Sequence, residues 1–432
     1  MRWLFGWGRV VLSTGGLAIV SAVRRLWLVR HLAAPMAVLV ALPTLVVSST
    51  AGGASATGIT ANTNSIGIGI GLPYGIVAGP DGALWFTNSG NNSIGRITTA
   101  GVVTNYTGTG IDQPLGIAAG PDGALWFTNE FNNSIGRITT AGVVTNYTGT
   151  SGDPRGITAG TDGALWFADS GGDSIGRITT AGEVSDYANA LRIGAAHAIT
   201  SGPDGALWFT SGNDSIGRIT TTGVETRYTG PGIRFPVGIT AGPDGALWFA
   251  NSGNDSIGRI TTAGVVTNYT GTGISHPVGI AAGPDGALWF TNVGNNSIGR
   301  ITTAGVVTNY TATGIDGPQG ITPGPDGALW FTNFRSDSIG RITAAGVVTV
   351  YAGTPRITEF GPKSGAVGTN VYITGKYLFA ATAVAVDGTD ATIVSDTSTE
   401  IIIKVPAGAT SGPIWVTTGG GITKTKATFT VT

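Results

Sequence analysis

Apolar residues along this chain come in short bursts, separated by glycine and small polar residues. One burst, Asp-Gly-Ala-Leu-Trp-Phe, begins at Asp81, Asp122, Asp162, Asp204, Asp244, Asp285 and Asp326, at spacings of 41, 40, 42, 40, 41 and 41 residues. A fixed period in this range marks a repeat architecture. In the second copy four strand-like runs follow one another: Gly-Ile-Ala-Ala-Gly, Ala-Leu-Trp-Phe-Thr-Asn, Ser-Ile-Gly-Arg-Ile-Thr-Thr and Val-Val-Thr-Asn-Tyr-Thr. Turn formers separate them: Gly-Pro-Asp-Gly, then an Asn-Asn or Asn-Asp pair, then Ala-Gly or Thr-Gly. Four antiparallel strands in about 40 residues make a β-propeller blade. Seven copies therefore predict an all-β chain with a seven-bladed β-propeller over residues 57–353.

The second run, Leu-Trp-Phe, does not alternate with polar residues. A strand covered on both faces by neighbouring blades need not alternate. Seven tryptophans occupy this run: Trp85, Trp126, Trp166, Trp208, Trp248, Trp289 and Trp330. The last run carries Tyr106, Tyr147, Tyr187, Tyr228, Tyr269, Tyr310 and Tyr351. Both aromatic sets are expected to pack blade against blade. All seven repeats look complete, so the ring either closes directly or uses Ile59–Ser65 as an extra outer strand latching the last blade.

The pattern changes at Pro355. Lysine appears and the repeat motif ends. The stretch PRITEFGPKSGAVGTNVYITGKYL, with Gly365, Gly368 and Gly375, resembles the start of an IPT/TIG domain. That resemblance implies an immunoglobulin-like β-sandwich over residues 354–432, with TEIIIKVP, GPIWVTT and ATFTVT as later strands.

Composition agrees. The chain has 72 glycines among 432 residues and 41% apolar residues, which suits many short strands around a core. It has no cysteine, so disulfides, thiolate zinc sites and cysteine nucleophiles are excluded. The formal net charge is −1, but residues 1–56 hold five arginines and no acid, which leaves 18 basic against 24 acidic residues beyond them. A mildly acidic body carries no footprint for nucleic acid.

Residues 1–56 read as an export leader. A basic stretch precedes the uncharged run LAAPMAVLVALPTLVV, and Ala54-Ser55-Ala56 forms an A-x-A cleavage pattern. Arg24-Arg25-Leu26-Trp27-Leu28 loosely resembles a twin-arginine signal. The expectation is a secreted or cell-surface bacterial protein, monomeric, and touching a membrane only if the leader stays uncleaved.

The near-identity of the repeats is an internal control. Where the copies agree, the residue serves the blade, as for the arginine of every Ile-Gly-Arg-Ile. Where they differ, it can serve one site. The clearest variable slot is the x of P-x-G-I: Tyr74, Leu115, Arg155, His197, Val237, Val278 and Gln319. The first strand of a blade is innermost, so these side chains are expected to ring one mouth of the central channel and bind a small molecule, glycan or protein. A second variable series, Asn88, Asn129, Asp169, Ser211, Asn251, Asn292 and Asn333, offers hydrogen bonds or forms turns. Beyond the leader the only histidines are His197 and His276, a poor basis for a transition-metal site.

The repeat GPDGALWFT…IGRIT resembles the virginiamycin B lyase family of seven-bladed propellers over residues 72–353. That resemblance implies ring opening of a cyclic depsipeptide by elimination, with a histidine as base and magnesium held by carboxylates. The family pattern needs P-H-A-I in one blade, E-P-H-G-I in the next and a glutamate after the tryptophan strand. His197-Ala198-Ile199 matches the first element. The next blade has Phe235 at the acid position, Val237 at the base position and Asn251 after the strand. One blade on, His276, Val278 and Asn292 stand there, and the last offers Gly317, Gln319 and Asn333. The expectation is a binding module with no cofactor; magnesium enters only if a rearranged lyase site exists. A structural surface scaffold is the third reading.

Overall fold

The computed structural model describes residues 46–48, 55–57, 60–62, 69–188, 194–353, 355–378, 381–397, 399–418 and 421–432. Seven antiparallel sheets follow one another along the chain, each built from four consecutive strands. In the second blade these are Pro114–Ala119, Leu125–Asn129, Ser134–Ile138 and Val144–Thr148, from innermost to outermost. The innermost strand of each blade packs against those of the neighbouring blades, which makes them the lining of the ring.

The aromatic residues pack as expected, between blades. Trp85 stacks on Tyr106 with ring centroids 5.3 Å apart, and the pair sits against Ile117, Leu125, Phe127 and Ile138 of the next blade. All seven tryptophans are fully buried. Truncating one to alanine removes about 3–5 kcal/mol. Each indole N–H has a partner: Trp85 Nε1 donates to Asp81 Oδ1 at 3.0 Å, and Arg96 Nε donates to Asp81 Oδ2 at 2.6 Å. The same Trp–Asp–Arg triplet recurs in every blade, which explains the repeated arginine. Burial opposes the charge on these aspartates. The bonds from tryptophan and arginine outweigh it and hold each carboxyl below its ordinary value. The glycine of Ile-Gly-Arg-Ile has a steric reason too: a Cβ on Gly95 would meet Phe86 Cζ at 2.1 Å.

The second variable series turns out to lie inside the blades, not around the channel. All seven residues are fully buried. Asn292 shows why an amide suits the position. Its Nδ2 donates to Gly273 O (2.8 Å), Ser297 Oγ (3.0 Å) and Asn309 Oδ1 (3.2 Å), and its Oδ1 accepts from Ser275 N (3.0 Å). One side chain thereby ties the second, third and outermost strands to the loop leading into the innermost strand.

The ring closes directly. Thr332 Oγ1 of the last blade donates to Tyr74 O of the first at 2.8 Å, as Thr87 Oγ1 does to Leu115 O one junction on at 2.7 Å. Within Ile59–Ser65, Thr60–Asn62 forms a short strand, but it pairs with Val103–Thr107 of the first blade and does not latch the last. Ser55–Thr57 and Val46–Ser48 pair likewise with the outermost strands of the second and third blades. The leader's basic stretch, the twin-arginine-like stretch, residues 32–45 of its apolar run, Ala54, Ile59 and residues 63–65 lie outside the described residues. Among the described residues no helix is long and apolar enough to cross a membrane.

The C-terminal part is a sandwich with its own core. One sheet contains Arg356–Gly361, Asn370–Lys376, Glu400–Lys404 and Thr392–Asp396; the other contains Thr389–Asp390, Ala383–Val386, Ile414–Thr418 and Gly421–Lys424. Phe360, Val371, Ile373, Val384, Ile401 and Phe429 meet between them.

Two predictions follow from this packing. Asn292→Leu removes four hydrogen bonds made from a fully buried side chain and should cost about 3 kcal/mol, read as a lowered urea midpoint at unchanged slope. The lowered aspartates contribute stability that is present above the ordinary carboxylate pKa and lost as pH falls through their folded values. Melting temperature should therefore drop on acidification below about pH 4, and Asp285→Asn should weaken that drop.

Candidate channel-mouth site

Three features of the innermost strands set the variable slot. The pairing of first and second strands shifts register between the proline and the isoleucine of P-x-G-I, which frees the backbone of x and Gly from the ladder. The glycine lets neighbouring innermost strands approach: a Cβ on Gly116 would sit 2.2 Å from Arg155 O. The threonine after Leu-Trp-Phe then joins the freed groups. Thr128 Oγ1 accepts from Gly116 N (2.9 Å) and donates to Arg155 O (2.6 Å). Thr210 joins Ala198 N to Val237 O in the same way, and Thr291 joins Gly279 N to Gln319 O.

Five of the slot carbonyls are held in this way by the preceding blade, and all seven slot side chains turn to one place. Tyr74, Leu115, Arg155, His197, Val237, Val278 and Gln319 all line a cavity of about 150 Å³ at the channel mouth. The ring is two-sided. Tyr74, Arg155 and His197, on the first, third and fourth blades, make a side that is polar except for Leu115 of the second. Val237 and Val278, on the fifth and sixth, make an aliphatic one. Arg155 Nη2 donates to Glu130 Oε1 at 2.9 Å, while Arg155 Nε is buried without a hydrogen-bond partner among the described residues. Burial, then the charge of Arg155, lowers the pKa of His197, so its imidazole is neutral at pH 7. Burial raises the Tyr74 phenol, which therefore keeps its proton.

Residues just before the slot prolines form a second special set. Leu72, Gln113, Phe235, His276 and Gly317 precede the slot prolines and hold φ of 44°, 47°, 43°, 44° and 58°. That left-handed conformation is strained for residues with a Cβ. An Asp or Asn from the preceding blade clamps each backbone N–H: Phe235 N donates to Asp214 Oδ1 at 2.7 Å, and His276 N to Asp255 Oδ1 at 2.6 Å. Phe235 is 46% exposed and lies against His197, ring centroids 5.5 Å apart.

Glu130 was not singled out from the sequence. It stands one position beyond the buried amide series, where the other blades have Ser89, Ser170, Gly212, Ser252, Val293 and Phe334. Comparison of the repeats at that position carries the signal, because a lone acid interrupts small and apolar residues.

The positions matched to the family site do not assemble a base and a metal cradle. Val237 offers no proton acceptor and Phe235 no ligand atom. Asn251 is fixed inside its blade, donating to Gly232 O, Ser256 Oγ and Asn268 Oδ1. His276 does not line the cavity; its side chain is 66% exposed, with Nδ1 3.5 Å from Asp255 Oδ1. Glu130 is engaged by Arg155. This donor set does not fit a magnesium ion.

Comparison with known proteins places the chain. The profile described as the virginiamycin B lyase family matches residues 62–273 and 189–359, and the IPT/TIG domain profile matches residues 355–431. A streptogramin B lyase structure is 36% identical, covering 68% of this chain and 98% of its own, with a TM-score of 0.61. Virginiamycin B lyase from Staphylococcus aureus, with selenomethionine, is 36% identical over 67% of this chain and 99% of its own, TM-score 0.59. A catalytically inactive histidine-to-alanine form of that enzyme, solved with quinupristin, is 37% identical over 66% of this chain and 98% of its own, TM-score 0.59. Among curated proteins none matches. With its seven blades, its repeat motif and its C-terminal sandwich, this chain belongs to the virginiamycin B lyase family and carries an IPT/TIG domain behind the propeller.

Proposed function

We propose that this protein is a non-catalytic member of its family that binds a small ligand at the channel mouth. One observation carries the reading: the seven residues that vary among near-identical blades line a single cavity, while the positions matched to the family's base and carboxylates hold Val237, Phe235 and Asn251. Arg155, His197 and Tyr74 supply donors on one side, and Val237 and Val278 supply an apolar wall on the other. Such a pocket suits a ligand with a carbonyl or anionic group at one end and an aliphatic or aromatic body at the other. The order of basic, apolar and small residues in the leader supports action outside the cell. The IPT/TIG domain then serves as a spacer or second binding module.

A lyase with a rearranged site is the competing reading, favoured by the 36% identity to a streptogramin B lyase and by His197. Quinupristin with magnesium separates the two. No ring opening is expected from the purified protein by mass spectrometry; opening that is lost in His197→Ala overturns the non-catalytic reading. Calorimetric binding of quinupristin should weaken at least tenfold in Arg155→Ala/His197→Ala, the scale expected when charge-assisted hydrogen bonds are removed. Unchanged affinity in that double variant refutes a mouth site built on these two residues.

A further inference from the structure

The third blade places two acids at its buried centre, where no other blade has even one. In the first, second, fifth and sixth blades two asparagines meet there, the amide of one donating to the amide oxygen of the other at 3.0–3.2 Å. In the third blade both positions are acidic, Asp169 and Asp186. A carboxyl group has no hydrogen to donate unless it is protonated. Two acids in one enclosed place do not both ionise readily.

We propose that Asp169 and Asp186 hold one proton between them and that this proton secures the loop delivering Arg155 to the mouth. This regulation rests on the mouth being the binding site. Burial raises the Asp169 carboxyl, but four hydrogen bonds favour its charged form. Its Oδ2 accepts from Ser151 N (3.1 Å), Ser151 Oγ (3.0 Å) and Gly152 N (3.0 Å), and its Oδ1 accepts from Gly172 N (3.2 Å). Asp186 is equipped to carry the proton. Its Oδ1 is buried with no hydrogen-bond partner among the described residues. Burial, then the charge of Asp169, pushes the Asp186 carboxyl up to about 6, against a hydrogen bond from Ser151 that favours the charged form.

The groups packed around the pair bring no positive charge. Asp169 comes from the second strand, Ser174 from the third and Ser151 from the loop; Gly176 and the backbone of Val47 flank Asp186 across its strand. The nearby loop acids are Asp153 and Asp173. No basic residue among the described ones bears on either carboxyl.

The loop depends on this centre more than its counterparts do. Elsewhere the corresponding loops carry Ile111, Ile233, Ile274 and Ile315, which pack against Val144, Val266, Val307 and Val348. Residues 150–153 are Thr-Ser-Gly-Asp, with no such plug, and Pro154-Arg155 follows directly. Three of the four bonds to Asp169 come from Ser151 and Gly152. Because the Asp186 carboxyl is raised in the fold, the native state holds the proton more tightly than the unfolded chain. Stability is therefore lost as pH rises from the ordinary carboxylate value through about 6. A second charge then repels Asp169 and loosens the loop.

Hydrogen exchange by mass spectrometry on the full chain at pH 5 and pH 8, corrected for intrinsic rates, tests this. Protection of the peptide covering residues 149–156 should fall about tenfold at the higher pH, against less than twofold for residues 108–116 of the second blade. Asp186→Asn, which restores the amide of the other blades, should abolish the fall. No pH-dependent fall in the native protein, or its persistence in Asp186→Asn, overturns the proposal. Should that variant fail to fold, a carbon-13 titration of the native aspartates decides: an aspartate titrating near 6 supports the pair, and none titrating above pH 5 refutes it. Neither readout uses a ligand, so failure here is distinct from failure of quinupristin to bind.

Discussion

The contact between neighbouring innermost strands is the constraint from which the rest of this propeller follows. Glycine at the third position of P-x-G-I removes the Cβ that would collide with the next blade's carbonyl. The threonine hydroxyl after Leu-Trp-Phe then takes a backbone N–H from its own blade and gives a hydrogen bond to that carbonyl. Both groups lie off the ladder because of the register shift, so without the threonine they would be buried and unpaired. The tryptophan and tyrosine layer behind this contact supplies the apolar area. The hydroxyl bridge supplies the alignment, and it aims the side chain at x toward the mouth.

The bridge is not uniform. Ala168 and Ala250 replace threonine in the third and fifth blades, so the carbonyls of His197 and Val278 lack the hydroxyl that their counterparts receive. His197 also departs on both sides, with Ala196 for proline and Ala198 for glycine. The third and fourth blades thus combine altered backbone contacts with the two basic groups of the cavity. The same loss in the fifth blade faces Val278, so the altered backbone contacts reach both the basic and the aliphatic side of the cavity.

Membership of a lyase family does not bring the lyase constellation with it. Elimination needs an acceptor for the proton and a stabiliser for the developing charge. At the matching positions this chain has an aliphatic side chain, an exposed phenylalanine and an amide enclosed in its own blade. What the cavity keeps is an apolar wall and hydrogen-bond donors.

The repeat period, the turn chemistry and the unbroken Leu-Trp-Phe run determined the seven blades without a structure, because local turns and two-sided burial leave direct marks in sequence. The variable slot was legible too, since near-identical copies expose whatever differs. Other features needed the tertiary structure. The sequence left the amide series Asn88 to Asn333 open between hydrogen bonding and turn formation, and only the packing of all four strands put it inside the blades. The Arg155–Glu130 pair joins residues from different blades, and no spacing along the chain encodes that neighbourhood. The Asp169–Asp186 pair is written plainly as two substitutions for asparagine. That they meet in one enclosed centre, with Ser151 between them, is a consequence of closing the sheet.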